Sequence, residues 1–331
     1  MTHAVFDLHC DTADRLAWQT LPEALKLSCG MPFYGPGDEL QPSACRELAS
    51  NRCQVSLDRI GATPWAQCFA CFIPDELSCT ESLAFFRHVG DYLDQQVSKN
   101  TGRVAFARTG TEARELLGSG KVAALRTVEN ARFFALDPSY VDTAARSGVI
   151  MASLSWNAAG PLASGHDTGE GLSGAGLAAL RRMEQAGMAI DVSHLNDRCF
   201  SEVAAATDPP LVASHSNSRS VCGHPRNLTD AQFDLIRERG GLVGLNFCTD
   251  FIAEDGAPDF DDLSRHIDRF LERGGENVLA LGSDFDGCDT PEFIRTASDM
   301  PSFQEFLNSR FGMEITAKLC GENALRFFSD R

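Results

Sequence analysis

The chain has 331 residues, 43% of them hydrophobic and 23% charged, an ordinary globular composition that excludes disordered, collagenous and fibrous proteins. Its 29 basic residues face 46 acidic ones, a net charge of −17, so most of the surface would repel phosphate backbones and anionic lipid, and neither nucleic acid nor membrane is expected as a partner. The stretch from Met1 to Asp11 has no basic segment followed by an apolar one, and no run approaches the roughly 18 apolar residues of a bilayer span, so a cytoplasmic protein is expected.

In chain order, β-rich runs alternate with helical patterns. The predicted strands are Ala4 to Leu8, Ala66 to Phe72, Val122 to Thr127, Gly148 to Ser155, Ala189 to Ser193, Leu211 to Ser214, Gly241 to Phe247 and Val278 to Ser283. Between them, Glu81 to Val97, Gly176 to Ala186, Asp230 to Arg239 and Phe260 to Arg273 repeat apolar residues at three and four, the helical period. Strands alternating with helices in this way predict one parallel (β/α)8 barrel of the TIM type spanning 1–331. A doubly wound open sheet is the alternative, but no GxGxxG follows a strand. Gly118-Ser119-Gly120-Lys121 precedes a strand and lacks the hydroxyl residue of a phosphate loop, so it reads as a helix-to-strand turn. The segment 12–57 is too long for a simple connection. Within it, the Gly- and Pro-rich Met31 to Gly37 is expected to arch over the barrel mouth, and Met313 to Phe328 to form closing helices. The twelve cysteines, in a large chain with no signal segment, are read as reduced thiols, Cys68 and Cys71 of the lone CxxC included.

A barrel builds its site at the C-terminal ends of its strands. There the first strand ends in His9-Cys10-Asp11, and residues two apart on an extended segment face the same side. The third strand ends in Glu129, the fifth in Ser193-His194, the sixth in Ser214-His215 and the eighth in Ser283-Asp284. A single such histidine serves as readily in a structural hydrogen bond, and a lone aspartate as a helix cap. Together they differ, because burying Asp11, Glu129 and Asp284 without a nearby lysine requires a compensating cation. Two histidines, an HxD pair and a glutamate suit two zinc-type ions with one bridging carboxylate.

These segments resemble the membrane (renal) dipeptidase family of zinc metallopeptidases over nearly the whole chain. The resemblance is carried by Asp7-Leu8-His9-Cys10-Asp11-Thr12, Ile190-Asp191-Val192-Ser193-His194-Leu195, Ala213-Ser214-His215-Ser216 with Arg226-Asn227, and Gly282-Ser283-Asp284-Phe285-Asp286-Gly287. It implies a metal-dependent dipeptidase in which His9 and Asp11 hold one zinc, His194 and His215 hold the other, and Glu129 bridges them. A bridging hydroxide would attack the peptide carbonyl, Asp284 would be the catalytic carboxylate, and Arg226 would grip the C-terminal carboxylate of a small dipeptide. A homodimer is also implied.

The sequence departs from the family at three positions. Trp156 stands where many members carry a histidine that contacts the scissile carbonyl, Phe251 where the mammalian enzymes have tyrosine, and Asn130 where a glycine is usual. Trp156 is read as lining the substrate pocket, the alternative being a core ring on the barrel wall. The competing functions are a different amidohydrolase-type barrel acting on a cyclic amide or lactone, which would open with HxH instead of His9-x-Asp11, and a metal-stabilised binding protein, in which Asp284 would have no task.

Overall fold

The computed structural model describes residues 2–30 and 45–329. The expected loop from Met31 to Gly37 lies outside the described residues. Among the described residues, nine strands form one parallel sheet: β1 (Val5–Cys10), β2 (Trp65–Phe72), β3 (Val104–Phe106), β4 (Val122–Glu129), β5 (Val149–Ser153), β6 (Ala189–Asp191), β7 (Leu211–Ala213), β8 (Leu242–Leu245) and β9 (Leu279–Leu281). Their order is β2-β1-β9-β8-β7-β6-β5-β4-β3, and β2 also pairs with β4. That extra pairing closes the eight strands other than β3 into a TIM-type barrel. β3 pairs only with the start of β4, through Val104 opposite Val122. Three residues, of which only Val104 is buried, carry too little alternation for β3 to be read from sequence.

The four predicted amphipathic segments are the helices Cys79–Lys99, Gly174–Ala186, Asp230–Glu238 and Phe260–Glu272. Three of them start at reciprocal capping boxes, Ser78 with Glu81, Thr229 with Gln232 and Asp259 with Asp262, which satisfy backbone N–H groups that have no partner inside the helix. The connection after β1 is partly helical: Thr12–Ala17 starts directly beyond Asp11, and Glu23–Ser28 follows. Ser119 to Lys121 make the expected turn, with Gly120 at φ +75° between the helix Gly110–Gly118 and β4. Met313–Ala317 and Asn323–Phe327 are the expected closing helices. All twelve cysteines are free thiols. Among the described residues, no helix is long and apolar enough to cross a membrane.

One apolar cluster takes Phe6 and Leu8 from β1, Ala66 and Cys68 from β2, Ala123 and Leu125 from β4, and one residue from each remaining barrel strand. Only the barrel lumen is reached by every strand, so this cluster is its filling. Leu325 and Phe328 close it below, the Phe328 ring stacking 5.7 Å from Phe6. Strict alternation would then turn Asp7 and His9 outward, away from Phe6 and Leu8. It is broken between Asp7 and Cys10, where β1 spends one more residue than β2: Asp7 pairs with Gln67 but Cys10 with Phe69. This bulge re-aims His9 into the mouth while leaving Asp7 behind the sheet.

Asp7 is fully buried there and ties the barrel seam on both sides. One carboxylate oxygen accepts the Ser283 N–H at 2.8 Å, and the other accepts the Ser283 hydroxyl at 2.6 Å and the Gln67 amide at 2.9 Å. Replacing Asp7 by alanine removes all three bonds: the Ser283 N–H is left unpaired, and the Ser283 hydroxyl and Gln67 amide keep only the weaker contacts to the His9 and Cys68 carbonyls. The expected cost is about 3 kcal/mol or more of folding stability, read as a lower urea midpoint at unchanged slope.

Candidate metal centre

All five expected ligands meet at the open end of the barrel, and all are buried. Glu129, the last residue of β4, presents its two oxygens to two different donor sets. Oε2 lies 3.4 Å from His9 Nε2, which is itself 3.3 Å from Asp11 Oδ1 and 3.9 Å from Asp284 Oδ1. Oε1 lies 2.7 Å from His194 Nε2 and 3.8 Å from His215 Nε2. His9 Nε2, Asp11 Oδ1 and Glu129 Oε1 are buried without a hydrogen-bond partner.

Hydrogen bonds behind the rings fix which nitrogens face inward. His194 Nδ1 lies 2.8 Å from Asn157 Oδ1, a group that only accepts, so the proton sits on Nδ1. The Ser214 hydroxyl donates to Asp191 Oδ2 at 2.5 Å and lies 2.6 Å from His215 Nδ1. Its one proton is committed to the carboxylate, so His215 Nδ1 donates to Oγ. Each Nε2 is therefore a bare lone pair, and the two are only 2.9 Å apart beside Glu129 Oε1. Added protons do not relieve this contact: burial and the Arg226 charge push His194 down to about 3, and burial with His9 and Arg226 takes His215 well below its ordinary value. Opposed lone pairs beside a carboxylate fit a shared cation. The donor set and its orphaned atoms thus suit two divalent ions bridged by Glu129.

Electrostatics on the other side agree. Burial would lower His9, but the Glu129 and Asp11 carboxylates more than offset it and push the imidazole well above its ordinary value. The same field would attract a metal ion. Burial alone would raise Glu129, yet the facing His194 and His9 hold it well below the usual carboxylate range. Asp284 goes the other way: burial, with Asp11 and Glu129 nearby, lifts it to about 7 despite His9. Asn246 at the end of β8 donates to Asp284 Oδ2 at 3.0 Å. Gly287 lets the two aspartates approach, since a Cβ there would lie 2.3 Å from Asp284 Oδ1 and 2.4 Å from Asp11 Oδ2.

The backbone at these strand ends is unusual. Asn130, His194, Asp284 and Asp286 have φ of 60°, 71°, 61° and 67°, the left-handed region that side chains avoid. Asn130, where a glycine is usual in the family, keeps the left-handed conformation that glycine would supply, and asparagine is among the residues that tolerate it.

Trp156, Phe251, Asp284, Glu129 and His194 line a cavity of about 480 Å³, large enough for a small ligand. Trp156 is half-buried and forms a wall, its ring edge-on to Phe72 at 4.8 Å and 6.4 Å from the His194 ring. Arg226 is buried, donating from one terminal nitrogen to Ser216 Oγ at 2.8 Å and from the other to the His215 carbonyl at 2.9 Å. Its charge acts on Asp284 and Glu129, yet Asp284 stays raised, so Arg226 does not take the place of the compensating cation. Sequence reasoning missed His166 and His224, which line the cavity from long loops. Neither ends a predicted strand, so the strand-end rule had no means of finding them.

The descriptive profile "Membrane dipeptidase (Peptidase family M19)" matches residues 1–330. An uncharacterized protein in the pqqA 5′ region of Klebsiella pneumoniae is 33% identical over 247 residues, covering 71% of this chain and 91% of its own. The dipeptidase verJ of Clonostachys rogersoniana is 27% identical over 76% of this chain and 66% of its own length. Among solved structures, the dipeptidase AC, a metallopeptidase of family M19, superposes with a TM-score of 0.84 at 28% identity over 99% of both chains. A Rhodobacter sphaeroides metallopeptidase, liganded with a phosphinate mimic of the dipeptide L-Ala-D-Ala, superposes with a TM-score of 0.83 at 27% identity over 99% of this chain and 100% of its own. The chain therefore belongs to the membrane dipeptidase family, peptidase family M19.

Proposed function

We propose that the protein is a dinuclear zinc dipeptidase of the cytoplasm that cleaves small dipeptides with a free C-terminal carboxylate. The observation that carries this reading is the position of Glu129 between two donor sets, His9 with Asp11 and His194 with His215. Ions bound there would supply an acidified water as nucleophile and a Lewis acid for the scissile carbonyl.

The chain's own residues do the rest. Asp284 stands beside the donor set, 3.9 Å from His9 Nε2, where burial and the neighbouring carboxylates favour its protonated form, so it is placed to hold a proton there. It would take the proton of the attacking water and return it to the leaving amine. Asn246 holds one of its oxygens and leaves the other toward His9. The Arg226 fork retains N–H groups beyond its two backing bonds, and Nε has no partner, so a substrate carboxylate can be paired there. Trp156 and Phe251 would exclude water and limit side-chain size. Twelve free thiols suit a reducing compartment.

Metal analysis of purified protein, beside a hydrolysis screen over L,L and L,D dipeptides, tests the reading directly. Two metal ions per chain and release of free amino acids are expected; protein that binds no metal overturns it. Removing the bridge by Glu129→Ala should lower metal content and melting temperature together, because metal held only by the folded state adds to stability. A metal-replete Glu129→Ala protein would assign the bridge elsewhere.

Asp284→Asn preserves shape but cannot carry the proton. Turnover should fall by about 10²-fold or more at near wild-type metal content. For the carboxylate grip, Arg226→Ala and C-terminal amidation of the dipeptide should each lower kcat/KM by about 2 kcal/mol, and both together by little more than one alone. Additive losses would separate Arg226 from the substrate carboxylate.

A further inference from the structure

The segment between β5 and the helix Gly174–Ala186 folds back over the mouth and carries an imidazole that none of the assigned roles uses. Three backbone bonds pin it: Gly165 N–H to the Ala158 carbonyl at 2.9 Å, Asp167 N–H to the Asn157 carbonyl at 3.0 Å, and Thr168 N–H to the Gly165 carbonyl at 3.1 Å. Gly165 itself pairs with Leu195, next to His194. A side chain at 165 is excluded, since its Cβ would lie 1.8 Å from the Trp156 carbonyl oxygen. The loop is therefore pressed onto Trp156 and Asn157, and residue 166 has little freedom. Its ring lies 6.2 Å from that of His194 and 5.7 Å from that of His224, in the wall of the same cavity as Glu129 and Asp284.

The two ring nitrogens of His166 differ. Nδ1 is buried with no hydrogen-bond partner. Nε2 is not among the buried unpartnered atoms, and lies 3.4 Å from Asp167 Oδ1 without making a hydrogen bond. A neutral imidazole carries one proton. Placing it on Nδ1 would bury an unpaired N–H and turn a lone pair toward a carboxylate, so it belongs on Nε2, the nitrogen left to reach the cavity. The side chain is only 10% exposed. Burial and the Arg226 charge push it down to about 4, which leaves it neutral at physiological pH.

We propose that His166 is the substrate-facing imidazole of this site, donating its Nε2–H to the acyl oxygen of the scissile bond, beside the wall that Trp156 forms just beyond β5. This rests on the dipeptidase reading above. The argument is one of position. In a dipeptide the scissile carbonyl carbon is separated from the carboxylate carbon only by the amide nitrogen and one Cα. His166 neighbours the His194 ring on one side and, on the other, the His224 ring, whose Nδ1 accepts the Arg226 backbone N–H at 3.1 Å, so it stands where that carbonyl would lie with the carboxylate at Arg226. A neutral N–H donor there strengthens its bond as negative charge develops on the oxygen, which assists the transition state more than the bound substrate.

The test compares wild type, His166→Ala and His166→Gln as metal-loaded proteins, the glutamine retaining an N–H donor. Kinetics on a dipeptide that wild type cleaves are measured beside calorimetric affinity for the phosphinate mimic of L-Ala-D-Ala, with metal content and melting temperature as controls. His166→Ala should lose about 10²-fold in kcat, with KM little changed, and a comparable factor in phosphinate affinity. His166→Gln should recover part of both, while metal content and melting temperature stay at wild type. Unchanged kcat and phosphinate affinity in His166→Ala overturn the proposal. So does a loss confined to KM, which would place the contact on uniformly bound parts of the substrate, or a loss matched by lost metal or lower melting temperature in both variants. Wild-type protein that holds metal yet cleaves no dipeptide and does not bind the phosphinate would instead remove the dipeptidase reading, and this inference with it.

Discussion

Glu129 is buried at the open end of the barrel, with Oε2 turned to His9 and, beyond it, Asp11, and Oε1 turned to the His194 and His215 imidazoles. A carboxylate so buried is stable only if its surroundings carry positive charge, and a bare pair of imidazole lone pairs 2.9 Å apart is stable only if something positive lies against both. Much of the surrounding structure holds these mutually unfavourable groups together. Asp191 secures Ser214, Ser214 secures His215, and Asn157 secures His194. These contacts are made behind the ligands, where metal-binding histidines need them to fix tautomer and ring angle.

The barrel also spends backbone conformation on the same end. Regular alternation would not deliver His9, so β1 inserts a residue; the turns after β4, β6 and β9 enter the left-handed region at Asn130, His194 and Asp284. Each deviation costs on the order of 1 kcal/mol or more and persists because hydrogen bonds around it leave no alternative. Asp7 is the clearest such support. Behind the bulge it joins β2 to the end of β9, so the seam that closes the barrel and the device that aims the first ligand share one carboxylate.

The alternation of strand and helix was legible because burial on both sides of a parallel strand and on one face of each helix imposes two distinct periods. The convergence of the candidate ligands was legible too, because a parallel barrel gathers all its strand ends on one rim, so residues from His9 to Asp284 could be assigned to a common end of the barrel. The reasoning by alternation reached the right answer for His9 and Asp11 only because the bulge shifts both; continuous pairing from Phe6 and Leu8 would have sent His9 to the helix layer. Nothing in the local sequence marks that slip. Arg226 and His166 were beyond this kind of reading for another reason. Their positions follow from how long connections fold back, through bonds such as Arg226 to the His215 carbonyl and Asp167 to the Asn157 carbonyl, which are set by tertiary packing.

This contrast separates the site into two parts under different constraint. The metal side is built from residues at or directly beyond strand ends, tied to one another across neighbouring strands, so a change in one disturbs several. The proposed substrate side is built from connections: Trp156 and His166 after β5, His224 after β7, Phe251 after β8. Loops on a rigid barrel accept new residues at lower cost than strand ends do. Two of the three departures from the family pattern, Trp156 and Phe251, lie on that substrate side, and the third, Asn130, preserves the backbone conformation that its position requires. Divergence confined to the cavity wall leaves the buried donor set intact and alters the shape of the space beside it. The Trp156 ring and the His166 loop pressed against it set the shape of that wall beside His194.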